Sequence, residues 1–75
     1  MKEYITRIIK SKRKDKYTYE YLDMKDNHIN GSIVKRLLEG LYIPPAYKDV
    51  KINLNQNEKV LAIGYDEKDR PQYIY

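Results

Sequence analysis

The stretch Val60-Leu61-Ala62-Ile63-Gly64-Tyr65-Asp66-Glu67-Lys68-Asp69-Arg70-Pro71-Gln72-Tyr73-Ile74-Tyr75 holds two short runs of strand-forming residues around a charged loop, Glu67-Lys68-Asp69. Such a pairing reads as an antiparallel hairpin. Leu61, Ile63 and Tyr65 share one face of its first strand, Val60 to Asp66. In the second, Arg70 to Tyr75, Tyr73 and Tyr75 share a face while Gln72 and Ile74 share the other.

Upstream, Val50, Ile52 and Leu54 alternate with Lys51, Asn53 and Asn55, which gives another strand with one buried face before the polar connection Asn55 to Lys59. Pro44 and Pro45 forbid helix and hold Ile43 to Ala46 extended ahead of a tight turn near Tyr47 and Lys48. Before that corner, Ile33, Val34, Leu37, Leu38 and Leu41 recur at three- and four-residue spacing, with Lys35 and Arg36 facing water. This predicts a helix capped by Asn30 and ended by Gly40, its apolar stripe on the sheet. Met24 to Asn27 is a polar turn, and His28-Ile29 a short extended piece. The chain opens with a strand, Tyr4 to Lys10, a charged turn, Ser11 to Lys16, and a strand, Tyr17 to Asp23, with Tyr17, Tyr19 and Tyr21 on one face. About five strands and one main helix make an α+β domain on a mostly antiparallel sheet. Neither a repeat nor a linker interrupts residues 1 to 75, which read as a single domain. The last strand runs to the final residue, the pattern expected of a fragment.

At 75 residues the core must be thin and the stability marginal. With no cysteine and one histidine, His28, neither a disulfide framework nor a cysteine zinc site can be built, and an intracellular setting is the default. No apolar run is long enough for a signal peptide or membrane span. The net charge of +4 is uneven: residues 1 to 16 hold seven basic side chains against Glu3 and Asp15 and carry +5, leaving −1 for the rest. A basic arm on a near-neutral body suits a polyanion, and a solvated hairpin turn explains it equally well. Nine Tyr with no Phe or Trp favour half-exposed positions, where the ring packs and the hydroxyl reaches water, phosphate or a base edge.

Two stretches carry a family resemblance. Leu41-Tyr42-Ile43-Pro44-Pro45-Ala46-Tyr47-Lys48-Asp49-Val50-Lys51-Ile52 resembles a segment of the poxvirus-like and bacterial type IB DNA topoisomerases, and Leu61 to Tyr75 resembles a second segment of that family, in its order and spacing. The opening hairpin also fits. The family usually has Gly at the place of Asp69 and a basic residue at that of Pro71. Asp tolerates the left-handed conformation the turn requires, and a proline there must start a strand or lie on an edge.

The resemblance implies an N-terminal domain that closes a C-shaped clamp on double-stranded DNA together with a larger C-terminal catalytic domain of the same protein, as a monomer and with neither ATP nor an obligatory metal cofactor. It implies that the strand Arg70 to Tyr75 meets the major groove, with Gln72, Tyr73 and Tyr75 at bases and backbone and with Lys68 and Arg70 near phosphates. The family's tyrosine nucleophile and transition-state cations lie far downstream, so these 75 residues are expected neither to cleave nor to relax DNA. Chemistry agrees in outline: a glutamine amide pairs with an adenine edge, tyrosine hydroxyls bond phosphates or bases, and basic side chains hold register. Strict alternation puts Gln72 opposite Tyr73 and Tyr75, a conflict that a twist or bulge after Pro71 would relieve.

The other candidates read more plainly. Tyr17, Tyr19 and Tyr21 either cover the helix or stand half exposed and are assigned no role, the basic turn Lys12 to Lys16 is at most a secondary contact, and His28 lacks the companions a metal needs. Asp66, Glu67 and Asp69 balance charge and shape a turn rather than form a carboxylate pair. Two further readings stay open: a free-standing single-strand DNA or RNA module stacking bases on Tyr, and a protein-interaction domain using an open sheet edge.

Overall fold

In β1 (Tyr4–Arg13) alternate side chains point to opposite faces, so Ile5 and Arg7 turn together into the core. The computed structural model describes residues 1–75 and places five strands in one antiparallel sheet of order β2-β1-β3-β4-β5, the α+β architecture expected. The other elements are β2 (Lys16–Leu22), α1 (Gly31–Leu37), β3 (Lys48–Asn53), β4 (Ala62–Tyr65) and β5 (Pro71–Ile74). Register runs Arg7 with Val50, Ile5 with Ile52, Ile52 with Ala62 and Ala62 with Ile74, which lines the apolar side chains along one face. Ile5, Val50, Ile52 and Ala62 join Val34 of α1 and Ile43 of the proline corner as the buried core. Each of the Ile and Val side chains contributes about 1.5–3 kcal/mol by leaving water, and Ala62 under about 1. The opposite face of the sheet has no layer packed on it, and Lys51, Tyr65 and Tyr73 stand exposed there. No helix is long and apolar enough to cross a membrane.

Asn30 caps α1 as expected, its side-chain oxygen accepting from the Ser32 amide at 2.9 Å. Helical geometry ends at Leu37, and Gly40, at φ 79°, turns the chain out of the following turn. Of the anticipated stripe Val34 is buried and Leu37, Leu38 and Leu41 are half-buried, whereas Ile33 is 57% exposed because the short helix rests on the sheet through Val34. His28 forms an isolated bridge with Leu22 and is exposed.

The structure corrects the opening hairpin. The charged residues expected in a loop belong to the strands, which pair out to Arg13 opposite Lys16, leaving Lys14-Asp15 as a two-residue turn with Lys14 at φ 53°. A bulge between Ile9 and Ser11 interrupts the register. β3 departs from simple alternation at its end, where Leu54 lies outside the strand and is exposed while Asn53 is buried. The reason is hydrogen bonding. The Asn53 amide group donates to the Val60 carbonyl at 3.0 Å and accepts from the Asn55 backbone at 2.9 Å, and the Gln56 side chain donates to the Asn53 carbonyl. The polar connection is thereby folded over Asn53, which ties down backbone groups that would otherwise lack partners.

Candidate nucleic-acid interface

β4 and β5 pair without a break, Ala62 with Ile74, Ile63 with Tyr73, Gly64 with Gln72 and Tyr65 with Pro71. The anticipated relief of the Gln72 conflict by a bulge is therefore absent: Gln72 and Ile74 lie on the core side, half-buried, and Tyr73 and Tyr75 lie on the open side, 52% and 72% exposed. Pro71 opens β5, and β5 is an edge strand, so its missing amide removes no ladder bond from the sheet interior. Ala62 and Gly64 of β4 face the core in place of the larger Leu61, Ile63 and Tyr65. Gly64 is required by close approach: a Cβ there would stand 3.0 Å from both the Tyr47 ring and a Val50 methyl.

Asp66 organises the loop between the strands. Its Oδ1 accepts from the backbone amides of Lys68 and Arg70 at 2.9 and 3.0 Å, and its Oδ2 accepts from Arg70 Nε at 2.9 Å and Gln72 Nε2 at 3.1 Å. These donors, the Arg70 amide foremost, hold its carboxyl below the usual carboxylate range. Asp69 takes the left-handed conformation at φ 57°, as the turn demands, and its carboxylate pairs with Lys48 Nζ at 2.5 Å. That hydrogen bond pushes the Lys48 ammonium above its ordinary value. The acids thus shape the turn. Lys68 and Arg70 are exposed, with Arg70 Nε held by Asp66.

The loop leans on the proline corner. Pro44, Ala46 and Tyr47 face Asp66, Glu67, Lys68 and Arg70 across a shallow cleft. The corner in turn is held from β1 and β2. Arg7, 4% exposed, donates through Nη2 to the Pro44 carbonyl at 3.0 Å and, longer, to the Tyr47 carbonyl at 3.4 Å, and its guanidinium lies 4.3 Å from the Tyr19 ring centroid. The Tyr19 hydroxyl donates to the Pro45 carbonyl at 2.9 Å. Burial lowers the Arg7 pKa and raises that of Tyr19. The rings of Tyr17 and Tyr19 stack at 6.2 Å, Tyr19 covers Arg7 and the corner, and Tyr21 packs against the core.

All five anticipated residues therefore lie on one loop and strand, with Gln72 on the opposite face from the two tyrosines. Composition misplaced Arg7: counted in the basic arm, it is withdrawn from any polyanion. The signal was present in its alternation with Ile5 on a core-facing strand. Nothing local announced Lys48, whose partner Asp69 is 21 residues away.

The sequence model of the bacterial DNA topoisomerase IB N-terminal domain matches residues 18–66, so Lys68 to Tyr75 stand just beyond the matched span. A DNA topoisomerase 1B of Acanthamoeba polyphaga mimivirus is 35% identical over 68 residues, which are 91% of this chain and 20% of that protein. The chain thus spans about a fifth of the length of that relative. No solved structure matches it. A family match over most of the chain, joined to a relative that aligns along nearly all of it, places this protein in the family of N-terminal domains of bacterial type IB DNA topoisomerases.

Proposed function

We propose that residues 1–75 form a single DNA-gripping domain of a type IB topoisomerase, seating β5 edge-on in the major groove of duplex DNA. The observation that carries this reading is the exposure of Tyr73 and Tyr75 on an edge strand fed by a loop bearing Lys68 and Arg70. An edge strand entering a groove presents both of its faces, one to each wall. Tyr73 and Tyr75 then reach one wall and Gln72 the other, which accommodates their opposite orientations without a bulge. Gln72 pairs fully with an adenine edge only after releasing Asp66, so base reading and loop order compete for one amide group. Lys68 and Arg70 fix position on phosphates.

The catalytic step belongs to a larger domain of the same protein, with which this one closes around the duplex inside the cell. On that reading the chain acts as a monomer without cofactor or ATP and neither nicks nor relaxes supercoiled plasmid by itself. An amide-resolved NMR titration with a short duplex tests the interface. Shifts are expected to centre on Lys68 to Tyr75 and to fade with salt, at a log-log slope of about −0.9 per phosphate contact. A chain that ignores duplex but binds a single strand or a protein refutes this reading.

A further inference from the structure

β1 pairs with β3 only through Tyr4 to Arg7, but with β2 all the way to Arg13 opposite Lys16. Beyond Ile8 and Glu20 the two strands therefore leave the sheet as a two-stranded ribbon, about 16 Å long at ~3.3 Å per residue. It sits at the sheet edge opposite β5. The bulge between Ile9 and Ser11 redirects it, and the Ser11 and Thr18 hydroxyls share a hydrogen bond of 2.6 Å beneath the tip.

What sets the ribbon apart is the density of its charge: Lys12, Arg13, Lys14 and Lys16 crowd one tip with Asp15 as its single acid. Lys48 and Arg70 are each paired with a carboxylate, at 2.5 and 2.9 Å. Lys12, Arg13, Lys14 and Lys16 have no carboxylate within salt-bridge distance, and Arg13 and Lys16 are cross-strand partners. Like charges placed directly opposite destabilise a strand pair. Lys14 adds a third cation in a left-handed turn conformation, and Lys12 lies over the Tyr17 ring at 5.4 Å. All residues from Lys10 to Lys16 are exposed. A closely spaced row of anions removes this repulsion. The segment Ser11 to Lys16 has no apolar side chain to enter a bilayer, which disfavours a lipid surface and leaves the sugar-phosphate backbone as the fitting partner.

We propose that the β1–β2 ribbon tip is a second phosphate-binding element, gripping the backbone of duplex DNA at a place separate from the β5 contact. The proposal rests on duplex DNA being the ligand of this domain, not on how β5 meets it. In the test, the chain and a variant carrying Lys12→Gln, Arg13→Gln, Lys14→Gln and Lys16→Gln bind a labelled duplex across a salt series, beside a Lys68→Gln, Arg70→Gln variant. With three tip phosphates engaged, the slope of log affinity against log salt becomes shallower by about 2.7 in the ribbon variant. A salt rise from about 50 to 200 mM then costs the parent chain roughly 40-fold more affinity than it costs that variant. Unchanged amide positions outside the ribbon establish that the variant is folded. The unmodified chain supplies a second readout, in which duplex shifts the amides of Lys12 to Lys16.

Equal salt slopes with silent ribbon amides overturn the proposal, and if Lys68 to Tyr75 still shift, the β5 reading survives. Shifts confined to the ribbon do the reverse. Ribbon-dependent binding to phosphatidylserine vesicles without duplex binding overturns it in favour of a membrane.

Discussion

Replacing Arg7 probes the brace between the first two strands and the proline corner. Arg7→Ala removes a charge-assisted hydrogen bond to the Pro44 carbonyl, a longer one to Tyr47, and the stacking on Tyr19. Hydrogen bonds to charged groups contribute about 1.5–3 kcal/mol net, and a desolvated cation–π contact up to about 2. Against this stands the cost of keeping a guanidinium buried with its Nε unpartnered, which the substitution relieves. The balance is a loss of about 2–4 kcal/mol. A domain of this length at ~0.05–0.15 kcal/mol per residue holds only about 4–11 in total, so the alanine variant loses a large share of its stability and unfolds at a clearly lower urea concentration. Arg7→Met fills the same space without the buried charge and is expected to lose about 1–2 kcal/mol. Urea unfolding followed by far-UV circular dichroism measures both, at an unchanged dependence on denaturant. An alanine variant within about 0.5 kcal/mol of the parent, or a methionine variant worse than alanine, refutes the brace.

Gly64→Ala is expected to cost about 1–3 kcal/mol by overpacking, because the added methyl meets Tyr47 and Val50 at 3.0 Å, and the same urea titration reads it. Lowering the pH loosens the β4–β5 loop. The folded-state carboxyl of Asp66 lies below its ordinary value of 3.8, so its contribution is complete above that value and is lost as the pH falls through the depressed folded-state pKa. NMR should find the Lys68 and Arg70 amides titrating with a midpoint under 3.8. A midpoint at or above it contradicts the four-bond arrangement.

The strands were legible where the pattern had a period of two and the partner was near in sequence. β4 and β5 follow from their own residues, while the positive φ at Asp69 was anticipated through the glycine that the resembling family has there. What escaped the sequence were contacts that close long loops. The reach of Arg7 to Pro44 spans 37 residues and that of Lys48 to Asp69 spans 21. Net charge by segment counted Arg7 as surface because composition carries no direction, though alternation with Ile5 did. Asn53 was read as outward because parity puts it there, and it is buried only because the following loop folds back over its amide. Of the candidate site, the loop, the strand and the two faces of β5 were readable; the missing bulge was not, since register is set in the pairing with β4.

Both outer strands of the sheet leave backbone groups open, a standing invitation to pair with another copy and aggregate. β5 is four residues long and begins with a proline that cannot donate, while β2 is flanked by a bulged partner and begins at Lys16 beside Arg13. Short length, a missing donor and like charge each discourage register-matched stacking of identical molecules. Pro71 therefore leaves the outer edge of β5 bare while making it a poor match for the same strand of another copy.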